Sequence, residues 1–240
     1  MNSAPATGID ATPAAWIVGL LQAGDSYYPT GGYSHSFGLE GMVQEGIVRD
    51  RATLRSFVLL SVLPALRHAE LPLAAQAWRA LAGPDWAAVA ALSHLSSALK
   101  SPRELRHASE AIGRQRAELA ANLRGSPLAR EFVRRAADEG WPFSAAVSAA
   151  LEGRVCGAPL AAVLGGVYYA GVASILAAAM KVLRLGQNAS QALLTEALAA
   201  APEHIAAALA TPVEDIGWFN PWLDIAAARH EAADSRLFIS

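Results

Sequence analysis

The sequence predicts an all-α protein folded as one compact multi-helix domain. Three observations carry that reading. Strand-like runs of β-branched residues with a two-residue period are absent. Alanine-rich segments dominate. Helix-start signals recur along the chain. The 240 residues are 53% hydrophobic and 17% charged, which excludes a disordered chain and supplies an ample core. No linker, low-complexity tract or solenoid-length repeat divides residues 1–240.

The elements follow in order, on the order of ten helices joined by short loops. Thr12-Pro13 sets a cap before a proline at the first helical position, opening the amphipathic stretch WIVGLLQAG. Asp50 caps RATLRSFVLLSVL, and Pro84-Asp85 opens DWAAVAALSHLSSAL. Ser101-Pro102-Arg103-Glu104 reads as a capping box, with Ser101 and Glu104 as its two members. Ser126-Pro127 starts a helix through Arg135. Thr211 and Glu214 read as a second capping box, and Gly140 and Gly186 as helix stops. Between Gly157 and Met180 the chain carries no charge. A helix apolar all round is either a membrane span or the central helix of a soluble bundle. The glycines and tyrosines in its middle favour the central soluble helix, and a membrane-anchored interaction protein is the alternative.

Composition bounds the function. A net charge of -2 gives no electrostatic reason to hold nucleic acid. A single cysteine, Cys156, excludes an internal disulfide and a multi-cysteine zinc site, and reads as a small buried hydrophobe in a cytoplasmic protein. The opening residues have neither a basic n-region nor an apolar run, which argues against a secretory signal. The glycine-rich stretch Gly24–Gly32 lacks the lysine of a P-loop. Gly32-Tyr33-Ser34-His35-Ser36 begins like a nucleophile elbow but ends in serine and lacks the preceding strand. A helical hydrolase using Ser34 or Ser36 with His35 is therefore the enzymatic alternative. His230 and Asp234, four apart, make at most half of a metal site, and a polar surface at a helix C-terminus is the simpler reading. No catalytic residue and no metal ligand is assigned.

Two segments stand out. Gly24–Gly41 (GDSYYPTGGYSHSFGLEG) gathers tyrosines, Pro29, paired glycines and hydroxyls after a helix. It reads either as an elaborate helix–helix turn, with Ser34 capping the next helix, or as a recognition loop. The tail Arg229–Ser240 (RHEAADSRLFIS) ends in Leu237, Phe238 and Ile239. Those apolar groups are costly to leave in water, so the tail packs on its own domain or docks on a partner.

These same places carry a family resemblance. Pro29-Thr30-Gly31-Gly32-Tyr33-Ser34-His35-Ser36-Phe37-Gly38-Leu39-Glu40 resembles the N-terminal signature of the UreF family of urease accessory proteins. Pro102 to Ser109 with Gly113-Arg114, then Leu185-Gly186-Gln187, then Asp224-Ile225-Ala226, Arg229-His230-Glu231 and Ser235-Arg236-Leu237-Phe238 follow in the family's order. The resemblance spans about residues 16 to 240. Asp234 and Ile239 depart from its usual tyrosine and arginine, and Gly140-Trp141-Pro142-Phe143 lacks its histidine. It implies a dimeric, non-enzymatic, all-helical chaperone of nickel insertion. Such a protein binds a UreD/UreH-like accessory protein and a UreG-like GTPase on apo-urease, without nucleic acid or membrane. It holds no cofactor of its own, nickel and GTP being handled by its partners. The resemblance assigns partner binding to Arg229, His230, Glu231, Ser235, Arg236, Leu237 and Phe238 in a docking tail over 229–240, with Arg236 foremost. Pro29, Gly31, Gly32, Tyr33, Ser34, His35, Ser36 and Glu40 form a second partner or dimer surface. Residues 1–11 are expected to be flexible, and Tyr168, Tyr169 and Gly171 to be core.

Overall fold

The computed structural model describes residues 15–240, and within them eleven helices and no strand. In chain order these are α1 (Ala15–Gly24), α2 (Leu39–Gln44), α3 (Arg51–Ala80), α4 (Trp86–Ala98), α5 (Arg103–Leu123), α6 (Pro127–Glu139), α7 (Ala145–Cys156), α8 (Leu160–Val182), α9 (Gln187–Leu198), α10 (Ala201–Ala210) and α11 (Pro221–His230). The all-α expectation holds. The Thr12-Pro13 cap and residues 1–11 lie outside the described residues.

Most helix ends follow their local chemistry. Asp50 accepts from Thr53 N at 2.8 Å while the threonine hydroxyl takes the Asp50 N–H, closing a capping box. Asp85 caps α4, and Ser126 with Pro127 opens α6, which ends at a left-handed Gly140. The 30-residue α3 contains two widened turns, Val58–Val62 and Leu66–Glu70. Each sits just ahead of a proline, Pro64 and Pro72, whose ring would clash with the carbonyl four residues earlier.

The helix at the centre is α7, not the apolar α8. α7 packs against α1, α3, α4, α5, α6 and α8. Its sequence, AAVSAALEG, is small enough for neighbours to approach from every side. At Gly113 of α5, an added Cβ would lie 2.4 Å from the Ser144 carbonyl carbon at the entrance to α7. One charge penetrates this centre. Glu152, 1% exposed, accepts from Tyr28 Oη and from Arg116 Nη1, each at 2.6 Å. Burial, reinforced by Glu152, raises the Tyr28 hydroxyl pKa and keeps it a donor. This ties the loop after α1 to the core. The helix α8 buries Val163, Leu164, Tyr168, Val172, Ile175 and Leu176 but leaves Gly166, Tyr169, Ala177 and Met180 exposed. Tyr169 is therefore surface, while Tyr168 is fully buried and Gly171 faces Leu66. Cys156 is half-buried, with its thiol raised by burial.

Four local readings are corrected. Pro102, whose ring has no hydrogen-bonding group, occupies the N-cap of α5 in place of Ser101, and Glu104 is engaged with His230 and Arg236, so no capping box forms. No helix starts at Thr211, which instead closes α10 by donating to the Ala207 carbonyl. Asn220 caps the following helix. Gly186 precedes α9 rather than stopping α8, which has already ended at Val182. Ser34 donates to the Gly31 carbonyl, and it is Ser36 that accepts from the first turn of α2.

Gly113→Ala is expected to cost about 1–3 kcal/mol by overpacking, a drop of roughly 2–4 °C in melting temperature per kcal/mol. Gly166→Ala, with open space at its Cβ, is expected to be neutral or stabilising by up to about 1 kcal/mol. Thermal melts followed by circular dichroism check both.

Candidate functional site

The glycine–tyrosine motif and the tail meet each other. Phe37 (φ 52) and Gly38 (φ 85) turn the chain through left-handed backbone into α2. At Gly41, an added Cβ would come within 2.6 Å of the Ala226 carbonyl oxygen, so α2 and α11 cross in contact. That crossing puts Glu40 of α2 beside His230 at the end of α11.

Glu40 is 7% exposed and His230 is 2% exposed. Glu40 Oε1 accepts from Leu237 N at 2.8 Å; Oε2 accepts from Phe238 N at 2.9 Å and lies 3.0 Å from His230 Nε2. The other ring nitrogen, Nδ1, is 2.8 Å from Glu104 Oε2. Glu104 Oε1 accepts from Arg236 Nη1 at 2.5 Å. The result is an unbroken chain of carboxylate, imidazole, carboxylate and guanidinium, with both tail amides at one end. Buried charges persist only when paired and hydrogen-bonded in this way.

The tail continues as an extended segment. Ile239 N donates to the Ser34 carbonyl at 2.9 Å. Ser36 donates twice to the Ser240 carbonyl, from its amide at 2.5 Å and its hydroxyl at 2.6 Å. His35 Nδ1 lies 2.9 Å from Ser240 Oγ. Gln44 Nε2 donates to the Ser235 carbonyl at 3.2 Å. Phe238 is buried, with Lys181 Nζ 5.0 Å from its ring centroid. Side chains alternate as extended backbone requires: Phe238 and Ser240 point in, while Leu237 (62% exposed) and Ile239 (63%) point out beside exposed Tyr33.

Of the residues singled out in the sequence, the structure joins His35, Ser36, Glu40, His230, Ser235, Arg236, Leu237 and Phe238. It leaves Pro29 exposed, and Gly31 and Gly32 form a turn before Tyr33. Arg229 pairs with Glu45 at 2.7 Å, and Glu231 pairs with Arg103, both at the surface. His230 is neither a surface histidine nor a partner of Asp234; it is the buried hinge of the network. Ser34 and Ser36 bond to backbone carbonyls and His35 bonds to Ser240, so the candidate pairing of His35 with Ser34 or Ser36 is not formed. Among the described residues no three His, Cys, Asp or Glu side chains gather around a metal-sized space. Sequence reasoning missed Glu104, Lys181 and Gln44. Glu104 matches a capping-box pattern that masks this role, and Lys181 carries one weak signal as one of two lysines in the chain.

Burial raises the Glu40 carboxyl, but the Leu237 and Phe238 amides and His230 outweigh it, so its pKa lies below the usual carboxylate range. A depressed acid contributes docking energy that is present above that range and lost as pH falls through the lowered value. Burial lowers His35, whose charging opposes docking in the same direction. The Leu237 and Phe238 amide resonances are thus expected to hold constant near neutrality and to move to free-tail positions only as the pH falls below the usual carboxylate range. Glu40→Ala is expected to show free-tail positions already at neutral pH. Two-dimensional NMR of labelled protein checks both.

The UreF family model matches residues 48–198. The chain is also similar to the urease accessory protein UreF of Bacillus sp. (strain TB-90), 27% identical over 224 residues, covering 93% of this chain and 99% of that protein. With that match over more than half its length, the chain belongs to the UreF family of urease accessory proteins.

Proposed function

We propose that this chain is a non-catalytic scaffold of urease maturation. As a homodimer it bridges a UreD/UreH-like accessory protein and a UreG-like GTPase on apo-urease, allowing GTP-dependent nickel insertion. Nickel is cargo and GTP is the partner's substrate; the chain itself works without a cofactor, in the cytoplasm. The observation that carries this reading is the surface built by the docked tail. Leu237, Ile239 and Tyr33 stand outward from a rigid base of buried ion pairs, an arrangement suited to contact rather than to turnover. Exposed apolar anchors on a rigid base are what protein interfaces spend most of their binding energy on.

The homodimer has a separate candidate face. α1 packs beside α8 and exposes Ile17, Val18 and Leu21, while α8 exposes Tyr169, Met180 and small residues between them. Exposed apolar groups on two packed helices make this face the candidate for the contact between copies. α3 and α8 are each long and apolar enough to cross a membrane. The scaffold reading expects the chain in the soluble fraction without detergent, and recovery only from membranes would favour the anchored alternative.

Leu237→Asp is expected to leave the tail docked, because its side chain points outward, and to weaken recovery of the UreD/UreH-like partner at least tenfold. Arg236→Ala is expected to keep the fold, to loosen the tail by breaking the Glu104 pair, and to weaken partner recovery by a smaller factor. Co-purification with light scattering checks both. Undiminished recovery by the two variants overturns the tail as the contact surface.

A further inference from the structure

The residues that receive the tail belong to the body of the domain. Ser34, His35, Ser36, Glu40, Glu104 and Lys181 all lie outside residues 235–240. The tether is short: Ala232 and Ala233 donate only to the Arg229 and His230 carbonyls of their own helix end. Each contact the tail makes is one a separate strand of the same sequence can make. We propose that this cleft is a peptide-binding site, now filled in cis by the chain's own tail. In trans it takes an extended peptide with arginine, an aromatic two residues later, and a small hydroxyl residue two after that.

The recognition pattern follows from the contacts. Backbone bonds to the Glu40 carboxylate, the Ser34 carbonyl and Ser36 hold any extended strand in register. Glu104 selects the arginine, which a carboxylate binds with directional hydrogen bonds. The buried Phe238 seat under Lys181 selects an aromatic ring. His35 reads the hydroxyl of the last residue. Positions 237 and 239 face solvent and carry no selection. The cis tail competes at an effective concentration on the order of millimolar, so the site opens to a second peptide only when the tail is weakened or drawn away. The site is a property of the isolated chain, so its test uses no urease component and its failure leaves the scaffold reading standing.

The test uses a fluorescein-labelled synthetic peptide spanning Ser235–Ser240 and full-length protein, read by anisotropy. The Phe238→Ala chain, whose own tail is weakened, is expected to bind the peptide saturably and at least tenfold more tightly than the unmodified chain. A peptide with alanine in place of the arginine or the phenylalanine is expected to bind at least tenfold more weakly. One with alanine in place of the leucine is expected to bind within twofold. Where Phe238→Ala fails to fold, the exposed Arg236→Ala chain repeats the measurement. No saturable binding to the folded variant, equal binding to variant and unmodified chain, or equal losses for the leucine and phenylalanine peptides overturns the proposal.

Discussion

An ionised carboxylate removed from water costs several kcal/mol unless its lone pairs are met, and Glu40 is such a group. Its oxygens are met by two tail amides and by His230, and His230 is held from its other side by Glu104. Three distant stretches of chain are thereby committed together: the glycine–tyrosine motif, the start of α5, and the end of α11 with the extended tail that follows it. Removing the tail strands two carboxylates around one histidine. The tail is thus structural to its own domain, however apolar its exposed face.

The same device recurs once more, in the core. Glu152 on α7 is compensated by Arg116 and Tyr28, and through them the loop leading into the motif is anchored to the central helix. The two buried acids divide the work. Glu152 fixes where the motif begins, and Glu40 fixes what the motif holds. Between them the chain turns through Gly31 and the left-handed Phe37–Gly38 pair, so the exposed Tyr33 is carried on a segment fixed at both ends. A surface held this firmly loses little side-chain and backbone freedom on binding, which favours affinity in a scaffold.

Helix content and most helix starts were legible because capping is local chemistry: Asp50, Asp85 and Ser126 each act within three residues. Glu104 and Thr211 show the limit. Both satisfy a local capping pattern, and both are claimed by other bonds, Glu104 across 126 residues to His230. The apolar run of α8 was legible as a helix but not as a flank. Hydropathy does not distinguish a surrounded helix from one that shows a face to solvent, and the alanine-rich sequence of α7 gave no comparable signal for the centre. The motif and the tail were each legible as unusual. Their pairing was not, since no local rule links Glu40 to an amide 197 residues away.

Together these contacts describe a helical body whose distinctive residues are spent on holding a strand-like tail against a motif, with apolar groups turned outward for other proteins. Everything functional rests on the tail being closed on Glu40 in the free chain. Amide hydrogen exchange of the unmodified protein at neutral pH measures this most directly. Leu237, Phe238 and Ile239 are expected to exchange far more slowly than an unstructured peptide of the same sequence, while Ala232 to Asp234 exchange faster. Exchange of all three at the unstructured rate would contradict a closed tail and remove the basis for both the platform and the cleft.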